Sequence, residues 1–305
     1  MNRSACIIFL FKSFVINRLV IAATLSFVTV PTFSAEEVQL KRGEYIFHLS
    51  GCSSCHTDTQ KKGMLLAGGA GLKTPFGIFY APNITPDKTY AIGNWSEDDF
   101  IRALKDGISP NGTHYFPVFP FSAYTKMTTS DMKDLRAYIF SLPPASVPNK
   151  PHKINFPFNM RFLQWVWKVL YFNKGRYIPN NTKSDGWNRG AYLVNGLSHC
   201  NECHTPRNIL GGSNISRFLS GTPDGPEGNP VPNITPDLET GIGKWSDSEI
   251  ADVLNSGMLP DGDFVGGSMT EVSENLSKLT PEDLRAIGVY LKSIPAIYNK
   301  IKSTK

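Results

Sequence analysis

Cys52-Ser53-Ser54-Cys55-His56 and Cys200-Asn201-Glu202-Cys203-His204 each set two thiols three residues apart, with an imidazole beside the second. One helical turn at that spacing puts both sulfurs on one edge of a planar ligand and leaves the histidine free to swing beneath its centre. Two such thiols can add to porphyrin vinyl groups as thioethers while the imidazole ligates iron, which is the attachment pattern of c-type haem. A four-thiolate zinc knuckle would bring the pairs closer in sequence and has no use for a histidine after each. A redox dithiol does not require that histidine either. The expectation is two covalently bound haem c groups on Cys52, Cys55, Cys200 and Cys203, with His56 and His204 as iron ligands.

The segments around the two motifs are copies of each other. Arg42-Gly43-Glu44-Tyr45 precedes the first and Arg189-Gly190-Ala191-Tyr192 the second, each within an apolar pattern that predicts a helix. A glycine in a helix interior costs about 1 kcal/mol against alanine, so its recurrence points to close packing against another helix. A Gly/Pro-rich loop follows each motif, Lys61 to Pro82 and Thr205 to Pro232, and leads into Pro-Asn-Ile-Thr-Pro-Asp at 82–87 and 232–237. From there the copies run without a gap at an offset of 150, with 14 of 31 positions identical, an internal duplication. Ser96 and Ser246 read as N-caps with Asp99 and Glu249 three residues on, and Gly107 and Gly257 as C-terminal stops. In the closing helices, Ser130 and Pro143 bound the first, and Thr280, Pro281 and Pro295 the second.

Haem 2 has a natural sixth ligand in Met269, inside Gly266-Gly267-Ser268-Met269-Thr270-Glu271, where glycines let backbone approach the porphyrin and the thioether is a soft ligand. Met258 is its nearby competitor. The offset of 150 sets Phe119 opposite Met269, so haem 1 is expected to lack that methionine. Met127 is one substitute, but an offset of 152 pairs it with Leu279, which suits a hydrophobic staple at a helix start. His114, Lys126 and an open site are the others.

The chain has 305 residues, enough for two domains, with 41% hydrophobic and 19% charged residues, a globular composition. Residues 1–34 read as an export signal: Arg3, Lys12 and Arg18 precede the run Leu19 to Val30, and Thr32 and Ser34 suit a cleavage site after Ser34. An uncleaved anchor is the alternative, although twelve residues fall short of the ~20 needed to span a bilayer. Removing the segment takes away Cys6 and lowers the formal charge from +5 to +2, and no basic stripe indicates nucleic acid. From Asn149 onward, Met160 to Phe172 is an aromatic-rich helix with a narrow polar stripe of Arg161, Gln164 and Lys168. Its apolar circumference predicts a connector buried between two haem domains, with a docking face for a partner or membrane as the alternative.

With two haem motifs, Asn-Ile-Thr-Pro-Asp, Ile-Gly-x-Trp-Ser and a closing Leu-Arg-Ala helix in each half, the chain resembles the multihaem cytochrome c subunits of bacterial membrane-bound alcohol and aldehyde dehydrogenases. Trp187-Asn-Arg-Gly-Ala-Tyr-Leu-Val and His204-Thr-Pro-Arg-Asn look especially like their later domains. Those subunits commonly carry three haems, and this chain has two. Met269 matches their distal-methionine stretch, and where Phe119 stands they often have Pro-Ala-Met-Pro-Tyr. The resemblance implies a mostly α fold of two tandem class I cytochrome c domains joined by the aromatic-rich connector. The boundaries are then 35–148 for domain 1, 149–184 for the connector and 185–305 for domain 2. It also implies a periplasmic location, with peripheral association to the inner membrane through the partner. Electrons would come from a periplasmic dehydrogenase of alcohol or aldehyde type and leave to quinone or an oxidase. The competing function is a haem enzyme that uses an open iron on haem 1 against peroxide or a sulfur compound.

Overall fold

The computed structural model describes residues 34–301, and the expected signal, Ser34 apart, lies outside the described residues. Ser34 is the N-cap of α1 (Ala35–Leu49): its hydroxyl accepts from the Glu37 amide at 3.1 Å, and the Glu37 carboxylate accepts from the Ser34 amide at 2.8 Å. A cut after Ser34 would therefore remove a capping box from the first helix. The first motif forms the short helix α2 (Cys52–His56). Beyond it, the stretch expected as plain loop contains a hairpin of β1 (Gly71–Thr74) and β2 (Gly77–Tyr80). Helices α3 (Glu97–Asp106), α4 (Phe121–Tyr124) and α5 (Thr129–Ser141) complete the first half.

In the connector, β3 (Lys153–Ile154) pairs antiparallel with β2, giving a three-stranded sheet in the order β1-β2-β3. Helix α6 (Phe162–Tyr171) follows. The second half repeats the helices of the first as α7 (Asp185–Tyr192), α8 (Asn201–His204), α9 (Asp247–Ser256), α10 (Ser268–Leu276) and α11 (Pro281–Ser293). The described chain is mostly helical, and residues from both halves, among them Leu135, Ile139, Leu193, Leu197, Leu284 and Ile287, share one buried core.

Several devices hold as read. Ser96 and Ser246 both close full capping boxes, and Gly107 (φ +60°) and Gly257 (φ +75°) end α3 and α9 in the left-handed region. A Cβ on Gly43 would overlap the Asp134 carbonyl oxygen, and one on Gly190 that of Ala286, so these glycines let α1 cross α5 and α7 cross α11 in close contact. The first closing helix begins earlier than expected. Thr128, not Ser130, caps α5 by accepting from the Asp131 amide at 3.0 Å, just as Thr280 does for the Asp283 amide of α11 at 3.3 Å.

The connector helix is turned the opposite way from the expectation. Gln164 and Lys168, from its polar stripe, are buried, while Phe162 (63% exposed), Trp165 (58%), Val169 (67%) and Leu170 (60%) face outward. The reason is local: the Lys168 ammonium donates to the carbonyls of Asp106 at 2.6 Å and Gly107 at 2.7 Å, satisfying the C-terminus of α3, where a cation is favoured.

Candidate haem-attachment sites

The two motifs are anchored by one set of contacts made twice. His56 Nδ1 donates to the Pro82 carbonyl at 2.7 Å, and His204 Nδ1 to the Pro232 carbonyl at 2.8 Å. That bond fixes the tautomer and orientation of each ring and leaves Nε2 as the lone-pair nitrogen, the arrangement expected of an imidazole metal ligand. Burial holds both imidazoles below the ordinary histidine pKa, outweighing the proline carbonyls that raise it, so both are neutral at pH 7.

The Pro-Asn-Ile-Thr repeat supplies the buttress. Asn83 Oδ1 accepts from the Thr85 amide at 3.0 Å and hydroxyl at 2.7 Å, while its Nδ2 donates to the carbonyls of Ala145 and Val147. Asn233 accepts from Thr235 in the same way and donates to the Ile297 carbonyl at 2.8 Å. Each asparagine thus pins the proline carbonyl beside it to the segment after the closing helix. On the other side of each histidine, Thr57 and Thr205 accept from the amides of Leu66 and Leu219, both buried and left-handed at φ +60° and +58°. The sequence hides this pair, because Leu66 and Leu219 sit in loops of unequal length; a leucine at positive φ has no local signature.

Burial, reinforced by the adjacent Cys55, pushes the Cys52 thiol up to about 12; burial also takes Cys200 to about 12 and Cys203 to about 11. No disulfide joins any of the four cysteines. Such thiols are poor thiolates at neutral pH, unlike those of a redox dithiol. Among the described residues no three of His, Cys, Asp and Glu converge as a metal site, so the four cysteines do not form one zinc centre. The donor set fits covalent haem at both places: two thiols on one turn and a neutral imidazole with its outer nitrogen anchored.

On the distal side, Met269 is half-buried in the first turn of α10. Its amide donates to the Gly266 carbonyl at 3.3 Å, as that of Phe119 does to the Phe116 carbonyl at 3.0 Å, so the two occupy equivalent backbone positions. Phe119 stacks edge-on with Tyr115 and Tyr124. Met127 is 2% exposed within the shared core, and its amide bond to the Tyr124 carbonyl matches that of Leu279 to Leu276. Lys126 Nζ reaches the Asn173 carbonyl at 3.4 Å, and His114 lines a cleft with Ile108, Trp165 and Lys168 beside the connector. Met258, the competitor of Met269, is 49% exposed.

The two sites abut. Asn275 of α10 donates to Ser54 at 3.1 Å, inside the first motif, and Ser122 of α4 donates to Glu202 at 3.2 Å, inside the second. Tyr124 and His199 meet on the Ser50 carbonyl between them.

A helical chain that twice presents this donor set is a c-type cytochrome, and residues 40–143 match the Cytochrome c family model. The chain is 44% identical to a "Diheme cytochrome c-type" of Cereibacter sphaeroides over 263 residues, 85% of this chain and 87% of that one. It is 38% identical to the fructose dehydrogenase cytochrome subunit of Gluconobacter japonicus, and 35% to the cytochrome c subunit of alcohol dehydrogenase (quinone) from Gluconobacter oxydans. Those matches cover 88% and 90% of this chain but only 55% and 58% of the two subunits. The chain therefore belongs to the dihaem c-type cytochromes and carries two covalently bound haem c groups.

Proposed function

We propose that the chain is a periplasmic electron carrier that accepts electrons from a dehydrogenase and delivers them to quinone or an oxidase. The observation that carries this reading is the contact between the two attachment sites, which gives an electron on one haem a short route to the other. Haem supplies one-electron chemistry; the protein holds each iron ligand and sets the spacing. The dehydrogenase-subunit relatives support a donor of that class, and alcohol, aldehyde and sugar dehydrogenases are the candidates. On this reading residues 35–148 and 185–305 are two class I cytochrome units, with 149–184 joining them. His56 and His204 are the proximal ligands and Met269 the distal ligand of haem 2. Mixing the oxidised protein with a periplasmic alcohol, aldehyde or sugar dehydrogenase and that enzyme's substrate should reduce both haems within the turnover time. Rapid consumption of peroxide or a sulfur substrate by the isolated chain would instead establish the enzyme reading, which draws on the phenylalanine at the distal position of haem 1.

The exposed face of α6 gives the carrier a place to sit. Between Asn149 and Ser184 the chain has seven lysines and arginines and no aspartate or glutamate. An outward row of Phe162, Trp165, Val169 and Leu170 in so basic a segment suits the interface of an anionic bilayer, where aromatic side chains and cations are both favoured. No described helix is long and apolar enough to cross a membrane.

A further inference from the structure

His199 stands one residue before Cys200, in the left-handed region at φ +41°. Its twin, before Cys52, is Gly51 at φ +58°, where an added Cβ would meet only open space. Glycine takes that conformation without strain, whereas a side chain there costs energy and is kept where something uses it. The imidazole has a definite use: Nε2 lies 3.3 Å from the carbonyl oxygen of Ser50, two residues before Cys52. The same oxygen accepts from the buried Tyr124 hydroxyl at 2.8 Å, and the Tyr124 and His199 rings meet edge-on at 5.6 Å. One carbonyl of the first attachment segment therefore receives a donor from each half of the chain.

The backbone leading to His199 is also unlike its twin. Arg42 lies ten residues before Cys52, whereas Arg189 lies eleven before Cys200. The extra residue is taken up by a π-helical turn at Leu193–Leu197, between α7 and the second motif. Single π turns of this kind arise from one inserted residue and gather at functional sites. Here the turn delivers His199 to the first attachment segment.

We propose that His199 is a positioning residue that holds the two attachment segments in register and so sets the rate of electron exchange between the haems. This rests on the carrier reading, and it assigns His199 no contact with iron.

The test uses the full-length dihaem protein and pulse radiolysis, which delivers one electron per molecule, with the redistribution of that electron between the haems followed optically. His199→Gly installs the residue the twin already tolerates, so both haems, their spectra and the helical circular dichroism should persist. Exchange should slow roughly tenfold to a hundredfold, the scale on which about 1 Å of misplacement slows other reactions between held groups. His199→Gln, whose amide nitrogen can reach the same carbonyl, should recover much of the rate. Tyr124→Phe, which removes the second donor, should slow exchange less than His199→Gly. A wild-type rate in His199→Gly, or loss of its second haem, overturns the proposal. Absence of exchange in the wild type would overturn the carrier reading itself.

Discussion

At the scale of single residues, the duplication compares the two haem sites directly. Phe119 and Met269 share a backbone position, and only the second offers a ligand atom, a thioether that raises the haem potential. Met269→Ala should therefore shift the spectrum of one haem and lower its potential, and an unchanged spectrum would remove Met269 from the coordination sphere. Met127 is a core side chain by both its burial and its match to Leu279. Met127→Ala should cost about 2–5 kcal/mol in denaturant unfolding, the range for emptying a core site, and leave the haem 1 spectrum as it was. With Met127 buried in the core, Lys126 on the Asn173 carbonyl and His114 in the cleft beside α6, haem 1 should bind carbon monoxide or cyanide while haem 2 does not. A methionine-to-iron band from haem 1 that vanishes in Met127→Ala would contradict this. The cysteines and histidines of the two motifs were legible because haem attachment fixes residue type and spacing, and the Phe119/Met269 pairing because the duplication sets their offset. The buttresses were not: that Pro82 and Pro232 present carbonyls to His56 and His204 depends on the chain folding back across separations of 26 and 28 residues, which no local pattern announces.

At the scale of elements, helices with caps and stops could be placed from the sequence because local chemistry decides them; Ser246, Gly107, Gly257 and Thr280 all act where expected. The hairpin β1-β2 was missed, since Gly71 and Gly77 in a Gly/Pro-rich stretch read as loop, and β3 reaches that sheet from the connector. Orientation was the harder matter. The periodicity of α6 identifies an apolar face and a polar stripe, but the side facing inward is decided by the carbonyls of Asp106 and Gly107, which need a cation. Its outward apolar face leads to a prediction: the holoprotein should co-sediment with vesicles containing phosphatidylglycerol and less with neutral ones, and salt should weaken the association. Trp165→Glu with Val169→Glu should abolish it without altering either haem spectrum. Binding by the double variant equal to the wild type's would rule out α6 as the contact.

At the scale of the whole molecule, the halves are locked by an exchange of tyrosines. Tyr45 of α1 donates to Asp283 of α11 at 2.6 Å and accepts from the Thr280 amide at 3.2 Å, so it completes the helix start of the other half. Tyr192 does the reverse, donating to Asp131 of α5 at 2.5 Å and accepting from the Thr128 amide at 3.0 Å. The repeated Arg-Gly-x-Tyr shows that the two tyrosines are equivalent, but not that each serves the opposite copy; that depends on how the halves face each other. Each arginine stays at home, Arg42 on Asp131 and Asp134, and Arg189 on Asp283. Tyr45→Phe or Tyr192→Phe should each lower the unfolding free energy by about 1.5–3 kcal/mol, the scale of a bond to a charged group. The pH dependence follows from Asp283. Burial alone would raise its pKa, but the hydrogen bonds from Arg189 and Tyr45 outweigh it and hold the carboxyl below its ordinary value. A carboxylate lowered on folding contributes fully above its unfolded pKa, about 3.9, and that stability is lost as pH falls through the folded value. Unfolding midpoints of the holoprotein between pH 7 and pH 3 should therefore drop more steeply for the wild type than for Asp283→Asn, which lacks the titrating group although it is less stable at pH 7. Parallel curves would show that the acid response of the molecule comes from elsewhere than the seam between its halves.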